Sequence, residues 1–203
     1  MRKFTQSLAL AALLLSTSAY AQNVAPAATV AAKAAKVPWL YEGSDVPVDD
    51  TWTFGVLPNG LRYAVKKNDV PAGQVSIRVR IDAGALHENN DEQGFAHLIE
   101  HLSFRGSTFV PDGEAKRIWQ RFGVTFGSDS NAQTTPTQTV YKLDLPNATP
   151  EKLDESIKII SGMIRNPRIS PSALYAERAI VLAELRENSG AQMVYSDALR
   201  QHA

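Results

Sequence analysis

The sequence of 203 residues contains no cysteine, which excludes disulfide bonds, thiolate metal sites and a lipid-modified N-terminal cysteine. It also lacks an excess of basic charge, since 21 Lys and Arg residues are balanced by 21 Asp and Glu residues. No positive field for nucleic acid is therefore present. Apolar residues make up 44% and charged residues 21%, which is ordinary globular usage and excludes a disordered or fibrous chain. The fold must be held by a hydrophobic core, and the length suits one moderate domain.

Long hydrophobic runs are also missing. The apolar run from Leu8 to Leu15 is too short to span a bilayer. Arg2 and Lys3 precede it, and the small-x-small sequence Ala19-Tyr20-Ala21 follows it. This pattern predicts a removable secretory signal peptide over residues 1–21 and favours it over a permanent membrane anchor. We therefore expect an exported chain, periplasmic in a Gram-negative bacterium or secreted.

The remaining chain divides into a leader and a folded domain. Residues 22–51 are rich in Ala, Val and Pro, a composition that predicts a flexible leader. The folded domain is predicted over residues 52–203. Its tail from Ala191 to Ala203 has a helical pattern without a stop signal, so we expect the domain to be truncated at its C-terminal end.

Three segments have the pattern of β-strands. Leu61 to Val65 follow the turn signal Pro58-Asn59-Gly60, which predicts a hairpin. Apolar and polar residues alternate from Val75 to Ile81, as in an antiparallel strand with one buried face. A second alternation runs from Thr137 to Leu145, whereas residues 125–135 are polar and rich in small side chains.

Helical periods occupy most of the rest. One helix is predicted between Asn90 and Gly106 and another over Gly113–Phe122. Thr149-Pro150 and Ser170-Pro171 are helix start signals, in which Pro takes the first helical position. The last helix is predicted to extend to about residue 188. The predicted core-facing stripe of the helix that starts at Thr149-Pro150 is Leu153, Ile157, Ile160 and Ile164.

The stretch GFAHLIEHLSFRGS places His97, Glu100 and His101 in the pattern H-x-x-E-H. A helix turns by about 100 degrees per residue, so His97 and His101 lie one turn apart on one face and can reach one ion. Glu100 lies to the other side of His97, where its carboxylate is near an open coordination position without being a ligand. Two imidazoles, one carboxylate and a water make up a catalytic zinc set. The pattern therefore predicts one Zn²⁺ ion with Glu100 as general base.

A third ligand must come from another element. Glu177 and Glu184 lie two turns apart on nearly one face of the last predicted helix, so one or both can point at the ion. The alternative to a metal site is a solvated helix face that carries two surface histidines. Buried His and Glu side chains need partners, and the apolar neighbours of the motif predict that much of its helix is buried. These neighbours are Phe95, Leu98, Ile99, Leu102 and Phe104.

The stretch GFAHLIEHLSFRGS, with the Gly-x-x-x-Glu sequence from Gly84 to Glu88 before it, resembles the inverted zinc motif of the pitrilysin family of zinc metallopeptidases. Insulysin and the mitochondrial processing peptidase belong to that family. The resemblance implies that His97 and His101 bind zinc and that Glu100 is the base. ERAIVLAE, residues 177–184, is similar to the Glu-x6-Glu pair of the family. That similarity implies Glu184 as the third ligand and Glu177 as a supporting carboxylate in catalysis.

A third stretch, SNAQTTPTQTVYKLDLP over residues 130–146, resembles the Asn-Ala segment of the family and the strand beside its site. It implies that Asn131 and Ala132 bind substrate, with an ordinary polar turn as the alternative. An extended peptide would pair with the main chain of this strand. The fold implied by the family is α+β, a mixed and largely antiparallel sheet with helices packed on one side, as one domain of a larger clamshell peptidase.

The function implied is that of a zinc-dependent endopeptidase, which hydrolyses peptides or unfolded protein segments through a metal-activated water. The implied partner is a second peptidase-like half on the same or another chain, without which we expect a poor enzyme. One alternative is a catalytically silent scaffold or peptide-binding subunit with the same fold, and another is a plain zinc-binding domain. The intact H-x-x-E-H pattern argues against a silent scaffold, because loss of the base or of a ligand is the simplest route to inactivity.

Overall fold

The structure is a computed structural model that describes Trp39, residues 41–187 and Ala198. The predicted signal peptide, most of the predicted leader and, apart from Ala198, the predicted helical tail lie outside these residues. The chain divides into two compact units, one up to Lys66 and the other from Lys67 onward. Within the described residues, no helix combines the length and the apolar character that crossing a membrane requires.

The first unit is built on a β-hairpin. Strand β1 (Trp52–Val56) pairs antiparallel with β2 (Arg62–Lys66), which confirms the predicted hairpin. Its turn contains Gly60 at φ +87°, in the left-handed region that glycine adopts without strain. Phe54 packs against Trp39 and Tyr41 with ring centroids 5.1 Å apart in both pairs, so part of the predicted leader contacts the hairpin. The domain boundary at residue 52 stays a prediction.

The second unit contains a three-stranded sheet in the order β3-β5-β4. Strand β3 is Val75–Ile81, β4 is Ser130–Thr134 and β5 is Thr139–Leu145. All pairs between these strands are antiparallel, with Ile77 opposite Leu143 and Ala132 opposite Tyr141. The strands β3 and β5 occupy the two alternating segments predicted from the sequence.

In the part of the chain that the structure describes, four α-helices accompany this sheet. Two of them begin at the predicted Pro residues: the hydroxyl of Thr149 accepts from the Lys152 N–H at 3.3 Å, and that of Ser170 accepts from the Ala173 N–H at 3.1 Å. The helices are α1 (Phe95–Ser103), α2 (Glu114–Arg121), α3 (Pro150–Arg165) and α4 (Pro171–Glu187). Two short 3-10 turns, Ala85–His87 and Asn90–Glu92, precede α1.

The core lies between one face of β5 and the helices α2 and α3. Tyr141, Leu143 and Leu145 alternate along β5 and are buried against a group of helix side chains. Each buried leucine contributes about 2 kcal/mol to folding. The helix side chains of this core are Ala115, Ile118, Trp119, Ile159, Ile160 and Met163. This arrangement confirms the predicted α+β class with helices on one side of the sheet.

The other face of the sheet is polar and carries an ion cluster. Asp144 on β5 accepts from Arg78 at 2.8 Å and from Lys142 at 3.0 Å. Partial burial acts to raise the pKa of Asp144, but hydrogen bonds from Arg78, Lys142 and Ser76 outweigh it and lower this pKa to about 2. The predicted alternation of a buried and a solvated face is confirmed.

The predicted core-facing stripe of α3 was wrong at one position. Ile157 is 52% exposed, and the neighbouring Ser156 is buried. The other three residues of the stripe are buried or pack against the core, namely Leu153, Ile160 and Ile164. The polar stretch before Thr135 contains strand β4, which the residue pattern did not indicate because its side chains are small and polar.

Candidate active site

The helix that carries the H-x-x-E-H pattern is held at its N-terminus by an acidic side chain. The Glu88 carboxylate accepts from the Gly94 N–H at 2.8 Å and from the Ala96 N–H at 2.6 Å. These backbone donors have no partner within the helix, and a negative charge at a helix N-terminus is favourable. Gly94 itself has φ +92°, which suits glycine. Glu88 thus fixes where α1 begins and how its side chains are turned.

The two histidines of the pattern face each other, as their spacing predicts. The Nε2 atoms of His97 and His101 are 3.2 Å apart, and the two rings are nearly perpendicular. Helix α4 brings Glu184 to the same point, with its Oε2 atom 3.4 Å from His97 Nε2 and 3.6 Å from His101 Nε2. One ligand atom from each of these three residues lies within 4.8 Å of the others. Two distant helices therefore converge on one small volume.

These separations fit a tetrahedral zinc ion. Donor atoms at the usual zinc distances of about 2.0–2.2 Å lie about 3.3–3.5 Å from each other around a tetrahedron. The observed edges between the three donors are 3.2, 3.4 and 3.6 Å. Two imidazoles and one carboxylate are also the donor types of a catalytic zinc set. The residues present therefore suit this ion in both chemistry and spacing.

Glu177 lies behind His101 and orients it. Its Oε2 atom is 3.1 Å from His101 Nδ1, and an ionised carboxylate can only accept, so Nδ1 carries the proton. That tautomer leaves the lone pair on Nε2, which faces His97 and Glu184. Glu177 is only 7% exposed, and its second oxygen lies 3.6 Å from Arg105 Nε. The structure thus brings the carboxylate of Glu177 to the far side of His101 from Glu184.

Glu100 is buried on the same helix as these histidines, and a residue of the sheet donates a hydrogen bond to it. It is 7% exposed, and its Oε2 atom accepts from the Thr134 hydroxyl at 2.6 Å. Thr139 lies next in line, with its hydroxyl 3.3 Å from that of Thr134 and donating to the Ala83 carbonyl at 3.0 Å. One oxygen of the carboxylate is therefore occupied, and Oε1 remains for another partner.

Tyr141 on β5 is buried near Glu100 and keeps its proton. Burial raises the pKa of Tyr141, its hydrogen bond with Ser103 opposes that rise, and the charge of Glu100 adds to it. The Ser103 hydroxyl donates to the Ile99 carbonyl at 2.8 Å, so Tyr141 donates to Ser103 at 3.1 Å. The phenol remains neutral and adds no second negative charge near Glu100.

Asn131 and Ala132 lie on β4, not in a polar turn. Among the described strands, β4 pairs only with β5, so its other edge offers backbone groups to an added strand. Asn131 is exposed, and its Oδ1 accepts from the Ala132 N–H at 2.9 Å. Thr134 belongs to the same strand, so one short segment carries both the predicted substrate residues and the group that holds Glu100.

Helix α1 is less buried than its apolar neighbours predict. Leu102 is buried, but Phe95 and Ile99 are about half exposed. The structure also adds two residues that the sequence did not indicate for the site, Thr134 and Arg105. It further shows that Glu88 caps the helix that carries the site. Glu88 was part of a quoted motif, whereas Thr134 and Arg105 have no local signal, because their partners are distant in sequence.

Comparison with known proteins identifies the family of the chain. The sequence model of insulinase, peptidase family M16, matches residues 63–203. The chain belongs to the M16 family of peptidases. This confirms the resemblance to the pitrilysin family, and M16 domains are also its structural neighbours.

Named M16 relatives are zinc proteases. The chain is 36% identical over 147 residues to the probable zinc protease PqqL of Haemophilus influenzae, and this match covers 72% of the chain and 16% of the relative. It is 33% identical over 138 residues to the zinc protease PQQL-like of Arabidopsis thaliana, covering 68% and 14%. The crystal structure of the first half of the periplasmic protease PqqL from Escherichia coli is 32% identical with a TM-score of 0.70, covering 76% of this chain and 33% of that one. The chain thus spans less than a fifth of the length of these curated relatives.

Proposed function

We propose that this chain is the N-terminal catalytic domain of an exported zinc-dependent endopeptidase that hydrolyses peptides or unfolded protein segments. The observation that carries the proposal is the meeting of His97, His101 and Glu184 within 4.8 Å, at separations that suit one zinc ion. In this M16 domain those three residues would hold the ion. Zinc, when bound, polarises the peptide carbonyl and makes a water more acidic.

Glu100 is the proposed base. Its Oε2 atom accepts from Thr134, so Oε1 takes the proton of the attacking water. The same carboxyl group then returns that proton to the leaving amine of the cleaved peptide. Burial among α1 and β4 keeps bulk water from competing for this carboxylate. Glu177 supports the reaction indirectly by fixing His101.

The substrate would lie along β4 as an extra strand. Backbone pairing at a sheet edge gives a grip that tolerates many sequences, and side-chain pockets add selectivity. Asn131 and Ala132 are the proposed contacts, because they lie on that edge strand close to Thr134. This mode requires an extended segment, so folded proteins would be poor substrates.

Location and domain organisation complete the proposal. We infer a signal peptide over residues 1–21, a leader over 22–51 and a peptidase domain over 52–203. The relative from Escherichia coli is described as a periplasmic protease, which supports export of this chain. A second peptidase-like half is expected from the same comparison, since the match covers 33% of the first half of that protease and 17% of the complete chain.

Replacing Glu100 by Gln separates the enzyme from a silent scaffold or peptide-binding subunit. The amide keeps the shape and the Thr134 hydrogen bond but cannot take a proton. We expect zinc affinity to remain and hydrolysis of a flexible fluorogenic peptide to fall by at least about 100-fold, the lower range for general-base catalysis. The assay uses the protein together with its second half. A variant that cleaves as fast as the parent contradicts the assignment of the base, and a parent that binds the peptide and zinc without cleaving it indicates the scaffold.

A further inference from the structure

Arg105 stands at the end of the helix that carries the metal-binding histidines, one turn beyond His101. Its backbone is fixed on both sides, because its N–H donates to the Leu102 carbonyl at 3.1 Å and its carbonyl accepts from the Gly113 N–H at 2.9 Å. The side chain therefore starts from a well-defined point. It extends toward α4, not toward the three metal-binding atoms.

Two carboxylates flank the guanidinium group. Its Nη2 lies 3.2 Å from Asp112 Oδ2, and its Nε lies 3.6 Å from Glu177 Oε1. The Nε–H is buried and has no hydrogen-bond partner among the described residues. A shift of a few tenths of an ångström would turn its ion contact with Glu177 into a hydrogen bond. The Nε–H of Arg105 is thus directed at Glu177 and donates to no other described residue.

Close backbone packing fixes Asp112 on its side of Arg105. A Cβ added at Gly106 would lie 2.9 Å from the Asp112 nitrogen, too close for any other residue at this position without a shift. Gly106 also accepts from the Arg168 N–H at 2.8 Å, so this segment cannot move away freely. The backbone of Asp112 is therefore fixed, while its side chain, which is 56% exposed, gives the guanidinium a second ion pair on the solvent side.

Glu177 needs such a neighbour. A carboxylate with 7% exposure has lost most of its hydration, and one of its oxygens lies 3.1 Å from His101 Nδ1. Arg105 supplies the positive charge on the opposite oxygen. This ion contact opposes rotation of the carboxylate away from His101 Nδ1.

We propose that Arg105 is a positioning residue of the metal site, which acts through Glu177 to fix the tautomer and direction of His101. The proposal rests on the proposed function, in which His101 binds zinc. Outer-shell partners of metal-binding histidines commonly change metal affinity by about 10–100-fold when they are lost. Arg105 lies one step further out, so the lower end of that range is expected.

Zinc affinity of the chain tests this directly and needs no peptidase activity. Arg105→Met keeps an unbranched apolar stem and removes the charge, and we expect zinc to bind about tenfold more weakly in competition with a chromophoric chelator. Arg117→Met is the matched control, because Arg117 forms an exposed ion pair with Glu114 at 3.8 Å, away from the histidines. It should bind zinc like the parent. Parent-like affinity in a folded Arg105→Met chain overturns the proposal.

A double-mutant cycle tests whether Arg105 acts through Glu177. Once Glu177→Gln has removed the carboxylate charge, adding Arg105→Met should weaken zinc binding little further. Losses that simply add would mean that the two residues act independently, which overturns the proposal. Nitrogen-15 NMR of the metal-free chain supplies a second readout: His101 should be protonated at Nδ1 in the parent and should show a tautomer mixture in Arg105→Met.

Two further variants keep the outcome clear. If Arg105→Met does not fold, Arg105→Gln replaces it, because the amide keeps a polar group but removes the charge. Reduced zinc affinity in Arg105→Gln supports the proposal, and parental affinity overturns it. Glu184→Ala separates the two levels of inference. If it binds zinc as well as the parent, the proposed ligand set fails, whereas a loss there with a parent-like Arg105 variant removes only the role of Arg105.

Discussion

At the scale of single residues, the hydroxyl of Thr134 decides how Glu100 is presented. A 2.6 Å hydrogen bond to an ionised acceptor is a strong contact, of the kind that contributes about 1.5–3 kcal/mol. It comes from β4, the strand along which a peptide would be added. Strand β4 would thus position both the base and the substrate. The distance between the Glu100 carboxylate and the bond to be cleaved would then stay fixed.

Thr134→Val removes that hydroxyl and keeps the shape of the side chain. We expect kcat for a flexible peptide to fall by about tenfold or more, as the loss of roughly 1.4 kcal/mol predicts. KM and zinc affinity should change little, because neither β4 backbone pairing nor the three metal donors are touched. Steady-state kinetics of the protein with its second half, together with zinc titration, check this.

Thr134→Ser is the matched control, since it restores the hydroxyl and should retain most of the rate. A Thr134→Val protein with parental kcat would mean that Glu100 is held well enough by its helix alone. A rise in KM with unchanged kcat would instead assign Thr134 to substrate binding.

Sequence reasoning reached only part of this site, for a physical reason. His97, Glu100 and His101 were predictable because helical periodicity places neighbours within one turn on a common side. The partners across elements were harder: Thr134 is 34 positions from Glu100, and Glu177 is 76 positions from His101. Helical spacing placed Glu177 and Glu184 on one face, and the family resemblance assigned a role to each of them. Nothing pointed to Thr134 or Arg105. The catalytic and ligand roles themselves remain predictions.

At the scale of elements, local chemistry fixes where helices begin better than which side they bury. The Thr and Ser caps and the Pro residues of α3 and α4 act within one turn, and both helices start where predicted. The buried side of α3 depends instead on the shape of the sheet beneath it. Ile157 is therefore exposed although it is apolar, and Ser156 is buried although it is polar. Strand β4 shows the same dependence, because its polar residues form a strand by pairing with β5.

Gly162 on α3 permits close packing that an ordinary helical residue would block. A Cβ at this position would lie 2.6 Å from Ser107 Oγ and 2.7 Å from Phe109 Cδ2. Alanine would gain about 1 kcal/mol of helix propensity, but overpacking costs typically about 1–3 kcal/mol. Ser107 is fully buried and has little room to move. We expect Gly162→Ala to lower the free energy of unfolding by about 1 kcal/mol, net of the helix gain.

Urea unfolding measures this change as a lower midpoint at an unchanged slope. Ser161→Ala, one position earlier on the same helix, is the control and should not lower the midpoint. A higher midpoint in Gly162→Ala would show that the loop with Ser107 and Phe109 yields easily.

At the scale of the whole molecule, the described part of the chain already contains every proposed ligand and the proposed base. What it offers to a substrate is the outer edge of β4, which pairs with no other described strand and carries only an isolated bridge between Ser130 and Phe126. The match to the first half of a longer periplasmic protease is consistent with an enclosing second half on the same or another chain. Metal binding and peptide turnover should therefore respond differently to the loss of that half.

We expect this chain alone to bind zinc with the affinity of the complete protein, because His97, His101 and Glu184 all belong to it. Its hydrolysis of a flexible peptide should be at least about tenfold slower, since the orientation and water exclusion that lower the barrier need both halves. Side-by-side zinc titration and peptide kinetics of the chain with and without its second half measure both quantities. Equal turnover would show that the open edge of β4 suffices to orient a peptide, and weaker zinc binding in the isolated chain would show that the second half also shapes the metal site.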